Sequence, residues 1–394
     1  MKFPISPHIR KVHPPPISEV KGWLAGCTPD LPLVDLCQAV PDYPPHADLT
    51  DHLKQLLDDP LMAKYSLDEG LPEVRETVCE RYRRRYGAAL NPAQICLTIG
   101  ASQAFWLAVT VLCRAGDEVI VQLPAYFDHP MALQALGIRC VYAPFHEETH
   151  GMPDIADIAR RITPRTRAIL LVTPSNPTGA IIPPEALEEL FELVRNHNIA
   201  LVLDETYGDF IPGGAPPHGL FARPDWSGNF VQVISFGKTY ALTGYRAGAL
   251  VAAEAFINQA LKVQDSMVVC QPRITQHAIR YGIEHLDGWV TANCAMMARR
   301  HDRFVAEFSQ PGNPFTLAAS GAFFGWVHHP YAGRTGRQVA RMLVEKAGVL
   351  TLPGEVFGPG LENYLRLAFG NIHDEAISGA VRRFRECAGE PPAG

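Results

Sequence analysis

Residues 235–248 read SFGKTYALTGYRAG, directly after the apolar run FVQVI (230–234). One lysine, Lys238, and one arginine, Arg246, stand there among small residues, hydroxyls and tyrosines. A β-branched run that opens onto a lone lysine admits three readings: a phosphate-loop lysine, an imine-forming lysine or an ordinary solvated side chain. A phosphate loop needs glycine five residues before the glycine of GK, so that backbone amides can curl round an anion. That position is Gln232, and Gly244 and Gly248 follow where a helix would have to run. The nucleotide-loop reading therefore fails.

Outward from this stretch, short apolar runs alternate with amphipathic segments. ICLTI (95–99), EVIVQL (118–123), CVYAPF (140–145), AILLVT (168–173), ALVLDE (200–205), FVQVIS (230–235) and GALVAA (248–253) read as strands. SQAFWLAVTVLC (102–113) and PEALEELFELVRNHN (184–198) read as helices, the second with Pro184 in its first turn. The alternation predicts an α/β fold: a large unit over 48–285 whose mostly parallel, seven-stranded sheet is covered on both faces. GAFFGWVHH (321–329), VLTLPG (349–354) and YLRLAFG (364–370), with helices at 289–309, 335–347 and 373–388, predict a smaller α+β unit over 286–394. The proline-rich segment 1–47 is expected to wrap irregularly and partly join the smaller unit, and the tail GEPPAG to fray.

Hydrophobic content of 47% and charged content of 19% over 394 residues fit a globular chain with a sizeable core. A net charge of −6 gives no basic excess for nucleic acid or an anionic membrane. MKFPISPHIRKVHPPP lacks the apolar core of a signal peptide, and no stretch reaches the roughly 18 apolar residues of a membrane helix. The nine cysteines, Cys27 among them, are scattered without a C-x-x-C pair, so they read as reduced thiols of a cytoplasmic protein.

HEETH (146–150) matches a zinc-protease pattern, whose two histidines must share one helical face. Pro144 before it and Gly151 and Pro153 after it break any such helix, so a polar loop is expected and no metal. DETYGDF (204–210) instead puts Asp204 at the carboxyl end of a parallel strand, where ligands of open α/β sheets bind. TPSNPTG (173–179) also follows a strand, and IGASQA (99–104) follows one while opening a helix whose free N–H groups suit an anion. Together these strand ends present an anion site, an amide, a carboxylate, a lysine and an arginine. Pyridoxal phosphate, with its phosphate, acidic hydroxyl and basic ring nitrogen, would use all of them.

At these residues the chain resembles the class I/II, fold-type I family of pyridoxal-phosphate-dependent aminotransferases. The likeness runs from PDYPP (41–45) to RLAFG (366–370) and includes the lysine signature of 235–248. The resemblance implies that Lys238 forms the internal aldimine and that Asp204 pairs with the pyridine nitrogen. It implies that Tyr207 and Asn176 bond the phenolic oxygen and that Tyr126 stacks on the ring. Gly100, Ala101 and Ser102, with Ser235 and Arg246, would take the phosphate, helped by Tyr65 of a neighbouring subunit in a homodimer with shared active sites. Arg366 would grip the substrate carboxylate. Ala39 stands where many relatives carry a glycine close to substrate.

The implied reaction moves the amino group of an L-amino acid to a 2-oxo acid through aldimine, quinonoid and ketimine, with Lys238 carrying the Cα proton. A carbon–sulfur β-lyase on the same fold is the alternative, since it shares the first proton abstraction. A cofactor-sensing regulator would carry an added DNA-binding domain, for which the short segment before Asp48 is not expected to leave room. Dicarboxylic, aromatic and aliphatic donors all stay open. Arg273 is near the site only by neighbourhood, and Phe3, Trp23, Phe105 and Trp106 are candidates for an apolar pocket.

Overall fold

The computed structural model describes residues 3–26, 29–214 and 216–389; Cys27 and the tail beyond Gly389 lie outside the described residues. Its central sheet is built from β1 (Ile95–Ile99), β2 (Glu118–Gln122), β3 (Arg139–Ala143), β4 (Thr166–Val172), β5 (Ala200–Asp204), β6 (Phe230–Ser235) and β7 (Ala247–Val251). The spatial order is β1-β7-β6-β5-β4-β2-β3. Every pair is parallel except those of β7, which runs antiparallel to both β1 and β6. The reason is the connection: only the turn 236–246 joins β6 to β7, too short for the crossover that parallel strands require. The quoted lysine turn is thus the link that reverses the chain at the carboxyl end of β6.

Helices cover both faces of the sheet. Leu187, Leu190, Phe191 and Val194 of Pro184–His197 are buried at helical spacing, each side chain contributing about 1.5–3 kcal/mol of burial. Asn198 ends that helix in a left-handed conformation. The helix Ala101–Leu112 is apolar nearly all round, and Phe105, Leu107, Ala108 and Val109 are buried on the sheet. Its amino end therefore abuts the carboxyl end of β1.

A second sheet, antiparallel throughout, has the order Leu352–Pro353, Tyr364–Ala368, Phe324–His328, Thr316–Gly321. The last of these, TLAASG, escapes sequence pattern because small residues replace the β-branched run. Val34–Asp35 pairs in parallel with Val349–Leu350, fastening the amino-terminal segment beside this sheet. The expectation of an irregular opening is corrected here: Pro7–Lys11 and Pro16–Trp23 are helices. Each begins with proline, which fits a first helical turn because no N–H bond is needed there.

HEETH forms one 3-10 turn, Glu147–Thr149, with His150 left-handed beyond it and its Nδ1 2.9 Å from the Ala318 carbonyl oxygen. Among the described residues no helix is long and apolar enough to cross a membrane. Cys37, Cys79, Cys96, Cys113, Cys140, Cys270 and Cys294 are free thiols.

Candidate active site

The carboxyl ends of the parallel strands meet the turn 236–246, and the site begins with two glycines. A Cβ on Gly248 would lie 2.5 Å from the carbonyl carbon of Gly100 and 2.7 Å from the Ala101 nitrogen. A Cβ on Gly100, at φ +84°, would lie 2.5 Å from Arg246 Nη2. Bare backbone here lets the guanidinium tuck under the amino end of the helix Ala101–Leu112. Arg246 is itself left-handed at φ 59° and donates from Nη1 to the Thr243 carbonyl at 3.0 Å. Ser235 caps the lysine turn by accepting from the Gly237 N–H at 3.1 Å. A cation, a helix amino terminus and two serine side chains (Ser102 and Ser235) line the same cavity, a combination suited to an anion.

Asp204 closes β5 and is buried. Its Oδ1 accepts the Thr206 N–H at 2.9 Å, and its Oδ2 lies 3.2 Å from His129 Nε2. His129 is buried too, packed against the Phe105 ring, and its Nδ1 has no protein partner. Reading the sequence missed His129: nothing in LPAYFDHP points across the sheet to β5, although the histidine falls one turn after Tyr126 at the start of the helix Asp128–Ala135.

Lys238 donates from Nζ to the Ala39 carbonyl oxygen at 2.7 Å. Burial, reinforced by the positive charges of Arg246 and Arg366, pulls its pKa down to about 8. Tyr207 is wedged edge-on against Phe323 and Phe324 and hydrogen-bonds the Asn176 side chain. Burial lifts its phenol well above the ordinary range, leaving it a neutral donor. Asn176 Oδ1 in turn accepts from Arg366 Nη1 at 3.1 Å. Arg366 lies between the Phe324 and Phe357 rings, gives Nη2 to the Cys37 carbonyl and leaves Nε without a partner.

Ala101, Ser102, Tyr126, Asn176, Asp204, Tyr207, Ser235, Lys238 and Arg246 line one cavity of about 340 Å³. Arg366 sits behind Asn176, and Ala39 behind Lys238. Tyr65 is elsewhere, 76% exposed on the surface of the protomer. Arg273 fixes the Tyr65 segment, donating to the backbone oxygens of Lys64 and Tyr65. Of the four aromatic candidates, Phe105 and Trp106 reach the cavity. Phe3 is 69% exposed and Trp23 packs into apolar clusters, so the expectation fails for that pair.

The arrangement would suit a pyridine ring bearing both an aldehyde and a phosphate arm. Bare glycine backbone lies beside Arg246, Asp204 is a buried carboxylate, and Lys238 is an amine of lowered pKa. This is the donor set of a pyridoxal-phosphate enzyme. The chain belongs to the aminotransferases of class I and II, whose family pattern matches residues 32–384. It is accordingly a pyridoxal-phosphate-dependent aminotransferase. The chain is 30% identical to the aromatic aminotransferase ISS1 of Arabidopsis thaliana over 380 residues, covering 94% of this chain and 93% of the relative. It is 28% identical to the aspartate aminotransferase of Sulfolobus acidocaldarius, covering 88% and 87%. A solved single mutant of the Thermus thermophilus aspartate aminotransferase superposes with a TM-score of 0.89 at 26% identity, covering 98% of this chain and all of the other. Transamination, not β-elimination, is what these relatives have in common.

Proposed function

We propose that the cavity performs transamination with the following division of labour. Bound pyridoxal phosphate supplies the carbonyl that condenses with amines and the ring that takes up electrons from Cα. Lys238 would hold the cofactor's carbonyl carbon at rest. Once displaced by the incoming amine, its neutral Nζ would take the Cα proton and return it to the cofactor carbon, two atoms away across the imine nitrogen. The lowered pKa favours this, because an amine near neutrality can both accept and release a proton. Asp204, fixed by the Thr206 N–H and His129, keeps a proton on the ring nitrogen. Tyr207 and the Asn176 amide donate to the ring oxygen, Tyr126 covers the ring face, and Gly100, Ala101, Ser102, Ser235 and Arg246 hold the phosphate. Arg366, oriented by Asn176, receives the α-carboxylate of the amino acid or 2-oxo acid, and Ala39 marks the substrate wall.

The observation that carries this reading is the shared cavity of Lys238, Asp204 and Arg246 at the sheet edge. Lys238→Ala tests it: turnover and the visible absorbance of the bound cofactor should both vanish. Borohydride treatment of the wild-type holoenzyme should fix the cofactor mass on the peptide holding Lys238. A Lys238→Ala protein with ordinary turnover would sink the assignment.

A homodimer with shared sites completes the proposal. Arg246 is exposed on one protomer, on a face that also shows Tyr65, Tyr245 at 39% and Met267 at 45% exposure. A second copy covering that face would bring its Tyr65 towards the phosphate. The free thiols favour a cytoplasmic setting, which cell fractionation tests. We read the chain as 1–47, 48–285 and 286–394, with the pairing of Val34–Asp35 to Val349–Leu350 supporting the link between the first and last. Limited proteolysis nicking elsewhere than near 47 or 285 would redraw these limits.

A further inference from the structure

The cavity has two chemically different ends. Towards the sheet edge lie the charged groups given roles above. Beyond Tyr126 the walls are apolar: Trp106 comes from the helix Ala101–Leu112, and Met131 and Ala135 from the helix Asp128–Ala135. The helix Pro7–Lys11 and the residue after it roof this end with Ile9 and Val12. That short helix is seated by His8, whose imidazole covers Gly137 so closely that a Cβ there would lie 2.9 Å from it. Ile9 remains 52% exposed, an aliphatic side chain held at a mouth rather than packed in a core.

Charge at this end has one sign. The Asp128 carboxylate lines the cavity and accepts the Tyr126 hydroxyl at 2.7 Å. Among the described lining residues the arginines and lysines are Arg246 and Lys238, and both are committed to the cofactor. His129 faces Asp204, and Arg273 is turned to the backbone of its own Lys64 and Tyr65. On this protomer's walls a second substrate carboxylate would therefore meet hydrocarbon and a like charge.

We infer that the amino donor carries an uncharged, apolar side chain, aliphatic or aromatic, lodged between Trp106 and Met131 under the Ile9–Val12 roof, with Asp128 turning dicarboxylates away. This rests on the transamination reading, because it presumes an α-amino acid oriented by Arg366 and Lys238. Apolar pockets discriminate roughly tenfold to two-hundredfold per methylene, so preferences should rise with side-chain size from alanine upward.

The test uses the holoenzyme and follows loss of the cofactor's visible absorbance in single half-reactions with alanine, leucine, methionine, phenylalanine, aspartate and glutamate. Leucine, methionine or phenylalanine should exceed aspartate in kcat/KM by about a hundredfold. Independently of turnover, 3-phenylpropanoate should quench tryptophan fluorescence at lower concentration than succinate. Val12→Lys should raise kcat/KM for aspartate about tenfold and lower it for phenylalanine. Ile9→Asp should lower kcat/KM for leucine and phenylalanine about tenfold more than for alanine, whose methyl is too short to reach the roof. Aspartate reacting as fast as leucine, or both variants slowing alanine equally, overturns the inference while transamination stands. If no amino acid discharges the cofactor, the proposed function falls and the inference falls with it.

Discussion

The Thr239 hydroxyl donates to the Asp209 carboxylate at 2.5 Å, joining the residue after Lys238 to the loop that carries Tyr207. Asp209 also accepts from Arg81 at 2.6 Å and pairs with Arg85 at 2.9 Å. One part-buried carboxylate thus links the helix Pro72–Tyr86 to the turns that carry Lys238 and Tyr207. Burial alone would raise its pKa, but Arg81 and Arg85 outweigh it and hold the group at about 2. A depressed carboxylate pKa means its stabilisation is complete above about 4 and fades as pH falls from there towards 2. Asp209→Asn, which leaves two part-buried guanidinium groups without their carboxylate, should cost about 3 kcal/mol in denaturant unfolding at neutral pH. Thr239→Val should cost nearer 1 kcal/mol and shift the pH dependence of cofactor absorbance. An Asp209→Asn protein as stable as wild type would remove the linkage from the account.

The lowered pKa of Lys238 marks a destabilising burial instead. With its pKa lowered to about 8, the cost of burying its charge is present below pH 8 and is relieved as pH rises towards about 10.4, the value of an unfolded lysine. The rate at which apoenzyme captures pyridoxal phosphate should rise through an inflection near pH 8. Arg246→Gln removes a neighbouring positive charge and should move that inflection upward while weakening cofactor binding. An inflection near 10 in the wild-type protein, followed by rapid mixing, would contradict the assigned electrostatics.

The two glycines of the proposed phosphate cradle, Gly100 and Gly248, should not be equivalent. Gly248→Ala drives a methyl into backbone at 2.5 Å, an overpacking of about 1–3 kcal/mol with nothing flexible to yield. Gly100→Ala meets the movable end of Arg246 but also demands φ +84° of an alanine, a strain of about 1–3 kcal/mol. Equilibrium dialysis of pyridoxal phosphate should show both binding at least about tenfold more weakly. Free phosphate should protect wild-type apoenzyme against heat, and Gly100→Ala should lose this protection because Arg246 is displaced.

His129→Phe should preserve the packing against Phe105 while leaving Asp204 Oδ2 without its neighbour. An unsatisfied buried acceptor costs about 1–3 kcal/mol, so cofactor affinity should fall roughly tenfold to a hundredfold. Thermal unfolding of the apoenzyme should move much less than affinity does. Equal losses in both would assign His129 to the core instead.

Dimerisation can be separated from folding at Met267, which is 45% exposed. Met267→Glu should shift sedimentation from dimer to monomer, weaken cofactor binding and leave the circular dichroism spectrum unchanged. A variant that stays dimeric with ordinary cofactor affinity would exclude this face from the proposed interface.

Much of the architecture is legible in local pattern. Each of the seven large-sheet strands is a short, largely apolar run with at least one β-branched residue, a property of a few consecutive residues. Thr316–Gly321 lacks such a run and becomes a strand through its pairing with Phe324–His328. Pro7–Lys11 and Pro16–Trp23 look irregular because prolines crowd them, yet a proline that opens a helix breaks no bond in it. Lys238, Asp204, Asn176 and Arg246 could be singled out because each terminates or follows a strand. His129 could not, since its partner is reached only across the sheet.

Local sequence is enough, then, for the seven strands of the large sheet, the failure of the nucleotide loop at Gln232 and the identity of the lysine between β6 and β7. Those are matters of backbone propensity and short-range spacing. Only tertiary structure decided what surrounds that lysine: the Ala39 carbonyl, the charges of Arg246 and Arg366, the His129–Asp204 contact and the apolar roof of Ile9 and Val12. Charge, desolvation and cavity shape arise from residues distant in the chain, and they exist only once the sheet has brought those residues together.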